Sequence, residues 1–145
     1  MQTEYGNEHS NHLLAQIRNA KDESYRMCSY PGSFVGTLVK LMEEKGFSNY
    51  SLTEASLLSL STIKRLKRDE GQVIPLATVL AVCVGMRLSY TEAKMLLDKK
   101  GLGINSNTPD GCAYNAILAS CGTVDIYEAN KILEENGFKP LSCDN

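Results

Sequence analysis

Between Ser51 and Arg68 the chain reads as two short helices joined by a tight corner. The second ends in four cations, Lys64, Arg65, Lys67 and Arg68, with no acid among them. With Ile63 and Leu66 as the buried side of that second helix, the opposite side carries Ser61, Lys64, Arg65 and Arg68 at i, i+3, i+4 and i+7. That spacing lines residues along one helical face. The face offers hydrogen-bond donors and positive charge. Its chemical complement is a duplex, with phosphate oxygens along the backbone and acceptor-rich guanine edges in the major groove. Double-stranded DNA is the partner these residue types imply.

A formal net charge of −2 over 145 residues opposes that reading until it is divided along the chain. Residues 34–100 hold ten Lys or Arg against seven Asp or Glu, whereas residues 101–145 hold two against six. The only dense basic cluster is the one at 64–68. A local field of this kind acts on a ligand irrespective of the overall isoelectric point.

Other chemistries find few residues. The two histidines, His9 and His12, lie in the N-terminal segment, and no Cys, Asp or Glu pattern completes a metal site with them. No Ser-His-Asp or Cys-His arrangement is available. The glycines are spaced as helix stops and make no phosphate-cradling loop. No catalytic residue, cofactor or metal is expected, and the chain is not expected to be an enzyme. The five cysteines, an odd number without a C-x-x-C pair, fit neither a disulfide framework nor a zinc finger. Cys83 and Cys121 sit in apolar helical patterns, where a free thiol serves as a small hydrophobe. The longest nearly apolar run, Val73 to Met86, is shorter than the roughly 18 to 20 residues of a membrane span. With no signal or lipidation pattern, a cytoplasmic location is expected and no membrane partner.

The elements that must position the basic stripe emerge from periodicity and capping. Ser51-Leu-Thr-Glu54 and Ser89-Tyr-Thr-Glu92 match the capping box, in which a hydroxyl and a carboxylate three residues apart satisfy each other's backbone donors. Gly46, Gly101, Gly122 and Gly137 mark helix ends. A helix over about 34–45 buries Phe34, Val35, Leu38, Leu41 and Met42. One from Pro75 to about Val84 turns Leu76, Val79, Leu80 and Cys83 one way, and one over 90–100 buries Ala93, Leu96 and Leu97. With the corner pair, these make a compact five-helix domain over residues 34–100.

Residues 1–33 form an N-terminal extension in which 10–27 can be a helix with Leu13, Leu14 and Ile17 on one side. Residues 101–145 form a C-terminal helical hairpin entered through a Gly-rich linker, with Thr108 as cap and Pro109 at the first helical position. Its helices offer Tyr114, Ile117, Leu118 and Cys121, then Ile126, Ala129, Ile132 and Leu133. Met42-Glu-Glu-Lys-Gly-Phe47 and Leu133-Glu-Glu-Asn-Gly-Phe138 read as one helix-ending device used twice. The fold class is all-α.

Over about Phe34 to Gly101 the chain resembles the phage-repressor-like, XRE-type helix-turn-helix family of bacteria and their viruses. The residues that carry the resemblance are Leu52, Leu58-Ser59, Ser61-Thr62-Ile63 and Leu66, followed by Arg68-Asp-Glu-Gly71, Pro75, Leu80, Leu88-Ser-Tyr-Thr-Glu-Ala93 and Leu96-Leu97. Two positions depart from the family pattern. Thr53 stands where a small residue, commonly Ala, is usual, and Leu57 stands where Gly is usual in the turn. A Leu in a left-handed turn costs about 1 kcal/mol, so either that cost is absorbed or the turn has another geometry.

The resemblance implies a DNA-binding transcriptional regulator whose helix at about 59–68 enters the major groove. Ser61, Thr62 and Arg65 would lie near base edges, Lys64, Lys67 and Arg68 toward phosphates, and Leu60 near a thymine methyl. The amides at the helix starts near Ser51 to Thr53 and Ser59 to Ser61 would face phosphate oxygens. The acidic C-terminal hairpin, too small to fold well alone, is expected to mediate self-association as a homodimer or to receive another protein. The alternative is an interaction module, antitoxin-like or an adaptor subunit, that uses the same fold to hold a protein with weak DNA contact or none.

Overall fold

The computed structural model describes the backbone of residues 4–68 and 71–143 and the side chains of residues 8–68 and 71–143. Its eight helices are α1 (Glu4–Met27), α2 (Phe34–Lys45), α3 (Asn49–Ser56), α4 (Leu60–Leu66), α5 (Leu76–Gly85), α6 (Tyr90–Lys100), α7 (Pro109–Ser120) and α8 (Ile126–Glu135). No strand occurs among the described residues, and the chain is all-α. It divides into two units, Met1–Tyr30 and Pro31–Asn145. The first is α1 and the turn after it. Within it Arg26 pairs with Glu23 at 3.0 Å, and the Lys21 ammonium lies 5.9 Å from the centre of the Tyr25 ring.

In the second unit α5 is the central element. Every residue from Val79 to Gly85 is buried, so the helix is enclosed on all sides and shows no amphipathic stripe. It contacts α3, α6, α7 and α8, while α2 packs on α6 and α3 on α4. The closest approach is at Gly85. A Cβ there would lie 3.1 Å from the Ala55 carbonyl and the Ser56 amide, so the end of α3 meets α5 backbone to backbone. α7 and α8 each pack on α5, and α7 also on α6, so both are anchored to the central helix.

Capping sets most of the boundaries. The box at Ser89 and Glu92 forms as the sequence predicts, with the Glu92 carboxylate accepting from the Ser89 amide at 2.9 Å. Thr108 caps α7 by accepting from the Gly111 amide at 2.9 Å. The box expected at Ser51 and Glu54 is displaced by one turn. Ser48 is the cap of α3, and Ser51 is its reciprocal partner, its hydroxyl accepting from the Ser48 amide at 2.8 Å.

The repeated helix-ending device is present in both copies. The amides of Phe47 and Phe138 donate to Met42 and Leu133 at 2.8 and 2.9 Å, around Gly46 at φ 77° and Gly137 at φ 83°. Gly122 is not left-handed, and α7 ends instead on Cys121 in right-handed geometry. Gly122 serves proximity, because a Cβ there would meet the Leu88 carbonyl at 3.1 Å.

The same ending occurs after α5, with Arg87 at φ 52° in the place of glycine and the Leu88 amide donating to Cys83 at 3.0 Å. Arg87 is exposed, so its side chain returns little for the strain. Arg87→Gly is expected to raise unfolding stability by about 0.5–1 kcal/mol. Chemical denaturation measures this, and a loss of stability would mean that the arginine side chain outweighs its backbone cost.

Four expected core residues are less buried than their apolarity suggests. Val35, Leu76 and Tyr114 are half-buried, and Ile132 faces solvent at 48 % exposure. The inward face of α8 is Ile126, Ala129, Asn130 and Leu133, at i, i+3, i+4 and i+7. Asn130 occupies the inward position that apolarity alone assigns to Ile132.

Cys83 and Cys121 are free and fully enclosed. Burial pushes both thiols up, Cys121 to about 11 and Cys83 further, with the neighbouring Cys121 adding to the effect on Cys83. The Cys121 thiol donates to the Leu88 carbonyl at 3.0 Å. A thiol with a raised folded-state pKa adds stability that is complete below its unfolded value of about 9.0 and is lost as the pH rises through the folded value. At pH 8 an alkylating reagent should modify Cys28, Cys112 and Cys143 in the folded protein and reach Cys83 and Cys121 only after denaturation. Mass spectrometry of labelled peptides would show it, and labelling of Cys83 at the rate of Cys28 would refute it.

Candidate nucleic-acid interface

The corner is built from hydroxyl chemistry. Ser59 caps α4 by accepting from the Thr62 amide at 3.2 Å, and its oxygen also contacts the Thr62 and Ser61 hydroxyls at 2.8 and 3.1 Å. In α3 the Thr53 hydroxyl donates back to the Asn49 carbonyl at 2.9 Å, and that of Ser56 to the Leu52 carbonyl at 2.7 Å. Back-bonding of this kind lets a hydroxyl sit inside a helix without an orphaned donor. Thr53 is thereby accommodated where a smaller residue is usual.

Leu57 is left-handed, at φ 58° and ψ 24°, with its amide donating to Thr53 at 2.9 Å. The turn keeps the geometry that glycine would favour, and Leu57 bears a strain of about 1 kcal/mol. The next residue anchors the corner. Leu58 is buried, and its amide donates to the Ser56 hydroxyl at 3.3 Å.

From that corner α4 projects with Ile63 and Leu66 buried and with Ser61, Lys64 and Arg65 exposed, and Arg68 is exposed just beyond its end. The outward stripe has the composition that the spacing predicts. Leu60 and Thr62 are half-exposed beside it. Lys67 differs from the other three cations. It is half-buried, and its ammonium donates to the Asn49 side-chain oxygen at 2.8 Å, which ties the end of α4 to the start of α3. Asp69 and Glu70, part of the segment that carries the family resemblance, lie outside the described residues.

Three features around the corner are not legible in the sequence. The Gln72 side-chain oxygen is buried without a hydrogen-bond partner among the described residues, in a small pocket that it shares with Thr62 and Arg65. Asn130 clasps the C-terminal segment, accepting from the Leu141 amide at 2.8 Å and donating to the Ser142 carbonyl at 3.0 Å. The Ser142 hydroxyl in turn donates to the Ser56 carbonyl at the end of α3. The corner is thus braced from the C-terminal side by a residue 86 positions away in sequence. No local signal marks such a contact. Among the described residues no group of three His, Cys, Asp or Glu side chains could hold a metal ion, and no helix is long and apolar enough to cross a membrane.

Residues 37–88 match the family model of the Cro/C1-type HTH DNA-binding domain. Over these residues the chain is similar to Cro/C1-type helix-turn-helix domains. The match runs from within α2 to the residue after the Arg87 turn and contains α3, α4 and α5 entire. Within the matched residues α3 packs on α4 across the corner, and α4, the second helix of that pair, bears the exposed stripe. No similar curated protein and no similar solved structure was found.

Proposed function

We propose that the protein is a cytoplasmic, sequence-specific transcriptional regulator that lays α4 in the major groove of DNA. The observation that carries this reading is the outward stripe of α4, cationic and donor-rich, on the second helix of a pair within residues similar to Cro/C1-type domains. Ser61, Thr62 and Arg65 read base edges, Lys64 and Arg68 bind phosphates, and Leu60 touches a thymine methyl. Ser51, Thr53 and Ser59 support the corner through their hydroxyl bonds to the backbone. First-turn backbone amides of α3 and α4 face the phosphate backbone. Lys67 combines a structural tie with a phosphate-facing charge, so its removal should lower the salt slope by no more than about 1.

A dimer would set two α4 helices about 34 Å apart along the DNA and imply a near-palindromic site. The proposed role is binding and not catalysis. Selection of bound sequences from a random duplex pool tests the reading. Enrichment of a defined motif supports it, and recovery of an unenriched pool removes sequence specificity.

One observation favours the second reading, an interaction module. The acidic C-terminal segment presents Tyr127 and Ile132 to solvent on α8, and Tyr127 lines an open surface groove with Leu57, Lys131, Glu134 and Glu135. In that case the hairpin receives a protein partner while DNA contact is weak or absent.

A further inference from the structure

The hairpin spends most of its apolar residues on the core of its own unit, whereas α1 does not. Leu13, Leu14 and Ile17 are 56, 45 and 56 % exposed. They belong to a longer uncharged seam, Ser10, Leu13, Ile17, Ala20, Ser24 and Met27, in which steps of three and four residues alternate through α1. Alternation of this kind is the a/d pattern by which one helix meets another. The helix also needs support. It carries Ser10, Asn11, Asn19 and Ser24, all weak helix formers, and a solitary helix of such composition draws its stability from packing of an apolar face.

We propose that α1 is a self-association element that pairs antiparallel with α1 of a second copy of this chain. The occupant is fixed by self-complementarity. A single antiparallel register places Leu13 of each copy against Ile17 of the other and Ser10 against Ala20. The same register sets Leu14 against its own counterpart and Gln16 likewise on the two flanks. It also brings the Glu23 carboxylate beside the His9 imidazole, with no like charges opposed. A parallel pair would keep the apolar seam but set Leu14 against His9 and Glu23 against Cys28, losing both flanking matches. The charged residues Arg18, Asp22 and Arg26 fall outside the seam in either case. This assignment is independent of whether the other unit binds DNA.

Light scattering on the full chain at roughly 100 μM, a concentration that populates even a weak dimer, reads the outcome. The expected mass approaches twice 15.9 kDa, and returns to 15.9 kDa in a Leu13→Glu, Ile17→Glu variant. Leu13→Gln with Ile17→Gln keeps helix-compatible, uncharged side chains and should also dissociate the dimer, which separates loss of the seam from loss of the helix. Asp22→Lys, on the opposite face, should leave the mass unchanged. In a chain whose exposed cysteines are replaced by Ser, Gln16→Cys should oxidise to a linked dimer, because antiparallel pairing brings two copies of this position together. A monomeric wild type, a dimer that survives both seam variants, a dimer lost in Asp22→Lys, or absence of the Gln16→Cys link would each overturn the proposal.

Discussion

Charge reversal of Arg65 and Arg68 is expected to abolish binding of duplex DNA, and Arg65→Ala alone to weaken binding to a selected site by roughly ten- to a hundredfold, about 1–3 kcal/mol. The two residues are expected to act differently. Arg65 lies on the stripe one turn beyond Ser61, where a guanidinium can reach a guanine edge with paired donors. Arg68 lies past the end of α4, and a phosphate is its proposed target. Arg65→Ala should therefore relax the selected motif at one position, while Arg68→Ala should weaken all sequences alike. Fluorescence anisotropy on the selected duplex and a shuffled control separates the two. Equal losses on both duplexes from both variants would contradict the assignment. The folded state is not at risk, because both side chains are exposed.

Glu92→Ala is expected to destabilise the helix-turn-helix unit by about 3 kcal/mol, a larger effect on stability than any surface substitution on α4 should have. Glu92 is 2 % exposed, yet it carries a carboxylate. It accepts from the Lys45 ammonium at 3.1 Å and from the Ser89 amide at 2.9 Å, so one side chain joins α2 to α6 and starts α6. Removing it leaves a buried cavity, an uncapped amide and a Lys45 without this partner. Lys45 is one-third exposed and rehydrates at modest cost, so Lys45→Ala should be milder in its direct loss yet leave a buried charge behind. Urea denaturation of the two variants and of the double variant gives the coupling between them. A change below about 0.5 kcal/mol for Glu92→Ala would show that the pair contributes nothing net.

How much of the fold is legible in the sequence depends on how far apart the cooperating residues lie. The bounds of α2 and α6 are readable because their caps are local, with Gly46 at the end of one and Ser89 with Glu92 at the start of the other. The start of α3 reads one turn too late because Ser48 and Ser51 both precede a residue that can reciprocate three positions on. The working partner, a second serine, is less conspicuous than Glu54, which matches the motif by residue type alone. On α8 apolarity points to Ile132 as an inward residue. The actual inward polar residue is Asn130, which is satisfied by Leu141 and Ser142.

The basic stripe is legible because periodicity alone orients Ser61, Lys64, Arg65 and Arg68 once Ile63 and Leu66 are taken as core. That Lys67 is partly withdrawn from it is not legible, since Asn49 is 18 residues away. The brace from Ser142 to Ser56 joins the C-terminal segment to the end of α3 and has no signature in either neighbourhood.

The most direct test of the central claim is the salt dependence of binding to a random-sequence duplex by the full chain. If Lys64, Arg65, Lys67 and Arg68 face phosphates and base edges together, the logarithm of the binding constant should fall against the logarithm of salt with a slope of about −3 to −4. The slope should collapse, with binding lost, in the Arg65→Glu, Arg68→Glu variant. No binding even at low salt, or binding that the double variant retains with the same slope, would contradict the account.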